Sequence, residues 1–225
     1  CNCLLELNPH CSHYSLFFRM QENFQIRGCF YRLDGTHCRK YLDIKRKGKH
    51  LANPDLLVVM MNPGNSKPVN GRYEFNGLTD AKTDRTQMQI MRLMNNCGFD
   101  FCRILNLTDI QETKSKALIE ILSKPKTKQL PHSIFDPRRK ADFDDLYPKN
   151  AMTLLAWGVH DALNDLAQKA IEKVDNNNIV GLKKENSDLA YYHPLPPSYY
   201  KQQQWVRKIS MQLKNQKQLI KSRQT

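Results

Sequence analysis

Apolar and polar positions change period several times along this chain, and each change marks an element. Gly28-Cys29-Phe30-Tyr31-Arg32-Leu33 and Thr36 to Ile44 flank Asp34-Gly35, the signature of a β-hairpin with a tight turn. Asp55-Leu56-Leu57-Val58-Val59-Met60-Met61 is a short continuous apolar run stopped by Asn62-Pro63-Gly64, as a parallel strand buried on both faces would be. Ile90, Met91, Leu93, Met94 and Cys97 then mark one broad helical face, with Asp84 placed to cap its start and Gly98 its end. Phe101 to Leu107 is a second strand, and a short helix is expected near Lys116 to Leu122 within a polar, Pro-containing stretch over 108–150. Ala151 to Gly158 is a third strand, followed by Val159, Leu163, Leu166, Ala170 and Val174 at helical spacing. Val180 to Leu182 reads as a short strand or part of a connection. Leu189-Ala190-Tyr191-Tyr192 reads as a fourth strand running into His193-Pro194, and Val206, Ile209 and Leu213 mark a last amphipathic helix.

Strands and helices in alternation predict an α/β fold of three layers, α/β/α, around a central and mainly parallel four-stranded sheet. A single domain is expected over residues 1–225, with 1–50 as an N-terminal extension carrying the hairpin and 201–225 as a basic C-terminal helix. Ligands of parallel sheets bind at the carboxyl ends of the strands. That rule puts Asn62-Pro63-Gly64, Asn106, Trp157-Gly158 and His193-Pro194 on one rim. No Gly-x-Gly-x-x-Gly or phosphate-loop signature accompanies them, which argues against a dinucleotide or nucleoside-triphosphate site.

Composition changes this picture in one respect. The chain has 225 residues, 40% hydrophobic and 25% charged, which is ordinary for a globular protein, and no run reaches the length of a membrane span. The start lacks a basic segment followed by an apolar stretch, so a cytoplasmic location is expected, nucleoid-associated in a bacterium. The net charge, however, is +13, from 35 Lys and Arg against 22 Asp and Glu. Such an excess favours a polyanionic partner, nucleic acid before an anionic membrane surface. Five of the seven Cys fall before residue 40, and without a secretion signal they read as reduced thiols or ligands rather than a disulfide framework.

The motifs give the partner a chemistry. The strand ending in Asn62-Pro63-Gly64 resembles the first active-site motif of the mismatch-specific and single-strand-selective branches of the uracil-DNA glycosylase superfamily. The strand ending in His193-Pro194-Leu195-Pro196 resembles the second. Ile104-Leu105-Asn106 and Leu154-Leu155-Ala156-Trp157-Gly158 resemble the strands between them, in the same order and at similar spacing over roughly residues 52–210. An uncharacterised bacterial family with an Asn-Pro-Ser first motif and a terminal His-Pro-Leu is similar as well.

The resemblance implies a uracil-DNA glycosylase-like fold and hydrolysis of the N-glycosidic bond of a flipped base, without cofactor or metal. It gives Asn62 the task of orienting the attacking water and His193 that of donating a hydrogen bond to the base oxygen where charge accumulates. Asn106 offers a donor and an acceptor for the edge of a pyrimidine. Pro63 and Gly64 complete the base pocket. Phe75 stands at about the family's spacing for a stacking aromatic, with Tyr73 as its competitor. Leu195 replaces the Ser frequent in the second motif, which removes one phosphate contact. The apolar wedge position falls near Pro197, where Tyr199 or Tyr200 would stack instead.

Phosphate contacts are expected from Lys45, Arg46, Lys47, Lys67, Pro196 and Arg207, with Arg138-Arg139-Lys140 as further candidates. Trp157 reads as structural, and Asp80, Asp84 and Arg85 as a helix cap with its flank. Cys1, Cys3, His10, Cys11 and His13 carry ligand types at irregular spacing, so no metal is expected there. The expected protein is a monomer that acts on DNA, single- or double-stranded. Two other readings share the same rim: a nucleic-acid reader without turnover, and an enzyme acting on a free nucleoside or another small ligand.

Overall fold

The structure, a computed structural model, describes residues 21–74, 77–148, 151–174 and 178–222. It is an α/β fold built on one mixed sheet. The strands are β1 (Phe24–Leu33), β2 (Thr36–Arg46), β3 (Leu56–Met60), β4 (Thr79–Asp80), β5 (Phe101–Asn106), β6 (Met152–Leu155) and β7 (Ile179–Val180). The helices are α1 (Arg85–Cys97), α2 (Ser115–Ser123), α3 (Pro125–Gln129), α4 (Lys140–Leu146), α5 (Asn164–Lys173) and α6 (Tyr199–Ser222), with single 3₁₀ turns at Pro137–Arg139 and Asp161–Leu163. The spatial order is β4-β1-β2-β5-β3-β6-β7.

The expected four-stranded sheet is therefore corrected to seven strands. β5, β3, β6 and β7 are parallel to one another, and β2, β1 and β4 continue the sheet antiparallel. The hairpin forms as expected, with Asp34 and Gly35 at φ 49° and 77° as its turn requires. It is not an extension, because Leu42 to Lys45 pair with Phe101 to Ile104 and make β2 the neighbour of β5. The fourth parallel strand is Ile179–Val180, against Thr153 and Leu154. The segment 189–192, expected in that place, instead bridges antiparallel to Gly158 and Lys183 through Tyr191. The three prolines at 194, 196 and 197 lack the N–H groups a sheet ladder needs, which stops that segment short.

Burial follows the pleat of β3, all of whose residues are buried. Leu56, Val58 and Met60 pack with Ile90, Met91 and Met94 of α1 and with Val206, Ile209 and Leu213 of α6. Leu57 and Val59 face the other way, toward Phe143 and Leu146 of α4 and Ala167 and Ala170 of α5. The sheet thus carries helices on both faces. α1 begins and ends as its sequence dictates: Asp84 and Gln87 form a reciprocal capping box, and Gly98 closes the helix at φ 64°. α6 runs alongside α1 in the same direction, since Gln202 meets Gln89, Cys97 meets Ser210 and Lys217 reaches the carbonyls of Cys97 and Gly98.

The chain passes from β3 through α1 to β5 on one side, and from β5 to β6 on the other side of β3. The carboxyl ends of β3 and β6 therefore flank a point where the winding reverses, the place where such sheets leave a crevice.

Candidate functional site

An open cleft of about 510 Å³ lies at the carboxyl end of β3, beside the first turn of α1, and Asn62, Pro63, Gly64 and His193 all line it. Asn62 continues β3 past its last ladder bond. Its amide nitrogen donates to the carbonyls of Ile110 (3.1 Å) and Glu112 (2.8 Å), both on the segment that leaves β5. With the nitrogen doubly held, the amide cannot turn, and Oδ1 remains the acceptor available to the cleft. Pro63, which is buried, and the half-buried Gly64 then reverse the chain: Gly64 sits at φ 60°, where a Cβ is strained, and Ser66 N donates to Pro63 O at 3.2 Å.

His193 reaches the cleft from the opposite wall. Gly158 and Tyr191 exchange backbone hydrogen bonds at 2.7 and 3.2 Å, and Tyr192 N donates to Leu182 O at 2.8 Å. Trp157 Nε1 donates to Leu189 O at 2.7 Å, and Trp205 Nε1 from α6 donates to Tyr192 O at 2.9 Å. Both tryptophans are structural clamps on the segment that carries His193. Its Nδ1 accepts from Leu195 N at 3.1 Å, so the proton of the neutral ring sits on Nε2. Burial alone pushes the imidazole down to about 4. His193 thus presents an uncharged N–H donor at neutral pH.

The floor of the cleft holds residues that sequence reasoning missed. β1 and β2 shift register between Cys29 and Phe30, where Lys40 is the extra residue opposite. This bulge brings Arg39 to the face that Leu42 and Ile44 share; unbulged alternation would leave it with Tyr41 and Asp43. Arg39 is 1% exposed and lines the cleft, and desolvation pulls its guanidinium down to about 10 against the pull of Asp84 and Asp109. Gln87, also 1% exposed, lines the cleft from the first turn of α1. Asp84 caps that helix, and burial raises its carboxyl above the ordinary value. Glu112 lines the mouth, and its carboxylate accepts from Lys114 N at 2.9 Å.

Asn106 does not reach the cleft. It is fully buried behind it, where its amide, turned to the orientation that satisfies both neighbours, donates to Asn62 O at 3.2 Å and accepts from Arg39 Nη2 at 3.1 Å. Its place is that of a brace between two cleft residues and not of a base reader. Phe75 lies outside the described residues, as do Cys1, Cys3, His10, Cys11 and His13. Tyr73 stacks on His37 with centroids 3.9 Å apart and donates to Gln111 Oε1 at 2.7 Å.

The expected phosphate contacts divide by rim. Lys45 sits opposite Phe101, at the start of β5, and Arg46 and Lys47 follow it. The cleft lies at the other end of the strands, roughly 15 Å or more away at the rise of a strand. Lys45 lies 4.0 Å over the Phe101 ring, and Arg46 pairs with Asp100 at 2.8 Å. These residues do not flank the cleft, because β2 runs antiparallel to β5 and carries its far end to the opposite rim.

Arg138-Arg139-Lys140 are occupied within the protein. Arg138 pairs with Asp136, Arg139 is buried against Asp109 and Lys140 pairs with Asp144. Arg207 is exposed, but it stands two turns along α6, away from the cleft. Pro196 holds Gln202 through its carbonyl at 2.8 Å. Tyr199 and Tyr200 are exposed on the first turn of α6, beside the loop of His193.

A different basic surface does border the cleft. The start of β2 continues alongside the chain leaving β5: Cys38 bridges Ile110, and Gln111 N donates to His37 O at 3.0 Å. This brings the hairpin tip to the cleft side. There Arg32 lies 5.9 Å from the centroid of the Tyr73 ring. Burial, then Arg32 and Lys67, hold His37 below the ordinary imidazole value. Lys67 and Lys82 are joined by a backbone bond of 2.8 Å next to Thr83 and Arg85 of the cleft wall. Lys67 is the one residue of the expected basic set that falls here.

Among the described residues, no group of three or more His, Cys, Asp or Glu is placed to hold a metal, and no helix is long and apolar enough to cross a membrane. Cys29, Cys38, Cys97 and Cys102 are buried free thiols. No curated protein and no solved structure matches the chain. A family described as "Protein of unknown function (DUF1643)" matches residues 43–195, a span that begins within β2 and ends just past His193. It covers more than half of the chain and both cleft walls that carry Asn62 and His193, and the protein belongs to the DUF1643 family.

Proposed function

We propose that the protein hydrolyses the N-glycosidic bond of a flipped, uracil-like or modified base in DNA. One observation carries this reading: Asn62 with a fixed amide and His193 with a neutral Nε2–H line the same cleft at the carboxyl end of β3. Bond cleavage leaves positive charge on the sugar and negative charge on the base. Asn62 Oδ1 accepts a hydrogen bond from the attacking water and orients it. It is no base, so its contribution is alignment; as the water oxygen bonds the sugar carbon and the C–N bond breaks, the water's proton passes to the released base anion or to solvent. His193 Nε2–H donates to the base oxygen on which charge builds, and a neutral donor does this without protonating the base first. The resemblance of the two motifs to the uracil-DNA glycosylase superfamily supports the same assignment.

Support for a DNA partner comes from the net charge of +13 and from Arg32, Lys67, Lys82 and the stacked His37–Tyr73 pair beside the cleft. Exposed Tyr199 and Tyr200 add stacking surface on the opposite side. The test is incubation with oligonucleotides carrying uracil, hypoxanthine, a thymine mismatch or a hypermodified pyrimidine. The expected result is an alkali-labile abasic site that forms about 100-fold more slowly in Asn62→Ala. Salt-dependent binding without product assigns the protein to the non-catalytic readers, and turnover of mononucleosides but not oligomers makes it a small-ligand enzyme.

A further inference from the structure

The seam between α1 and α6 carries charge of one sign. Neither helix contains an Asp or a Glu. On α1, Arg85, Gln89, Arg92 and Asn96 follow one another at helical spacing and share a face. On α6, Arg207, Ser210 and Lys214 do the same. The two faces meet, because Gln89 Nε2 donates to Gln202 Oε1 and Asn96 Nδ2 to Ser210 Oγ, both at 3.5 Å. Arg92 lies between these contacts on α1, where it donates to Gln89 Oε1 at 3.0 Å, and Arg207 lies between them on α6. Burial raises the Cys97 thiol, and Ser210, Lys214 and Lys217 pull against it, so Lys214 also stands on the α1 side.

The seam starts at the cleft. Arg85 lines it, and the backbone-paired Lys67 and Lys82 lie next to it. Basic residues therefore run without a break from the cleft border along both helices. At the rise of a helix, Arg85 to Lys214 spans roughly 20 Å. One strand of DNA places several phosphates in that length. Other surface cations have partners: Arg27 has Asp80, Lys126 has Asp34 and Lys183 has Asp188. Arg85, Arg207 and Lys214 are exposed and pair with no carboxylate among the described residues.

We infer that the α1–α6 seam is a track for the phosphate backbone of a DNA strand, leading away from the cleft past Arg85 to Arg207 and Lys214. A basic helix can instead lie on an anionic membrane, but it then inserts an apolar face. Here Ile90, Met91 and Met94 of α1 and Val206, Ile209 and Leu213 of α6 are already spent against the sheet. What remains outside is Arg, Lys and amide groups, which suit phosphate oxygens. The inference rests on the base-excision reading for the strand that enters the cleft, and on charge and placement for the track.

The experiment follows binding of an unmodified single-stranded oligonucleotide to the full chain by fluorescence anisotropy across a salt series, beside a separate assay of base release. Arg207→Gln combined with Lys214→Gln should lower the slope of log affinity against log salt by about 1.4, the value for two phosphates of a single strand. Lys201→Gln combined with Lys208→Gln removes the same charge from another side of α6 and should leave the slope unchanged. All four side chains are exposed, so both double variants are expected to keep the wild-type circular dichroism. Equal effects of the two double variants overturn the inference, as does a wild-type slope in the seam variant. Seam-dependent binding to vesicles of anionic phospholipid with none to the oligonucleotide overturns it as well. Seam-dependent oligonucleotide binding without base release keeps the track and removes the proposed function. Base release with a wild-type slope in the seam variant does the reverse.

Discussion

His193 owes its neutrality to burial, with no charged neighbour contributing. In the unfolded chain the same ring protonates near roughly pH 6.5. Its contribution to stability is therefore complete above that pH and is lost as the pH falls from there toward 4. A proton NMR titration should show one imidazole of the folded protein still neutral at pH 5, and base release should lack a His193 limb between pH 6 and 7. A His193 midpoint near the ordinary value would contradict this. Asn62 is a structural brace as well as a catalytic candidate. Asn62→Ala removes the partner of two carbonyls and should cost about 1–3 kcal/mol in urea unfolding, beside a loss of base release of roughly 100-fold. Arg139→Ala should cost more, about 3–5 kcal/mol, because it strands the fully buried Asp109 carboxylate that Arg139 and Tyr31 hold.

At the level of elements, one glycine controls whether His193 arrives. A Cβ on Gly181 would stand 2.6 Å from Tyr191 Cδ1 and 2.8 Å from Leu155 O. The backbone oxygen cannot yield, so the Tyr191 segment must move. Gly181→Ala should therefore lower base release more than its destabilisation of about 1–3 kcal/mol explains, and displace the His193 resonance.

What was legible in the sequence follows from range. β3 and its Asn-Pro-Gly stop, the capping box of α1 and the hairpin turn are written in adjacent residues. β7 has two residues, too few for a period to show. Arg39 needs the bulge at Lys40, and a bulge depends on the partner strand. Asn106 carries the right amide at the right strand end, but only its burial reveals that it faces Asn62 and Arg39. Lys45 to Lys47 form the most obvious basic run and lie on the wrong rim, because the direction of β2 against β5 is a long-range fact.

For the molecule as a whole, charge placement matters more than the total of +13. A DNA strand entering the cleft would meet Arg32 near the hairpin tip and Lys67 on the loop after β3, and miss Lys45 and Lys47. Arg32→Gln and Lys67→Gln should each lower the slope of log affinity against log salt by about one, and Lys45→Gln and Lys47→Gln should leave it unchanged. Equal effects from both pairs would contradict the placement of the interface. The central claim is that Asn62 and His193 act together on a flipped base. Single-turnover release of base from an oligonucleotide, compared between the wild type, Asn62→Ala and His193→Ala, tests it most directly. An abasic product is expected with the wild type and a rate lowered about 100-fold or more in each variant, both still folded. No product from any tested base, or product formed at the wild-type rate by either variant, would contradict it.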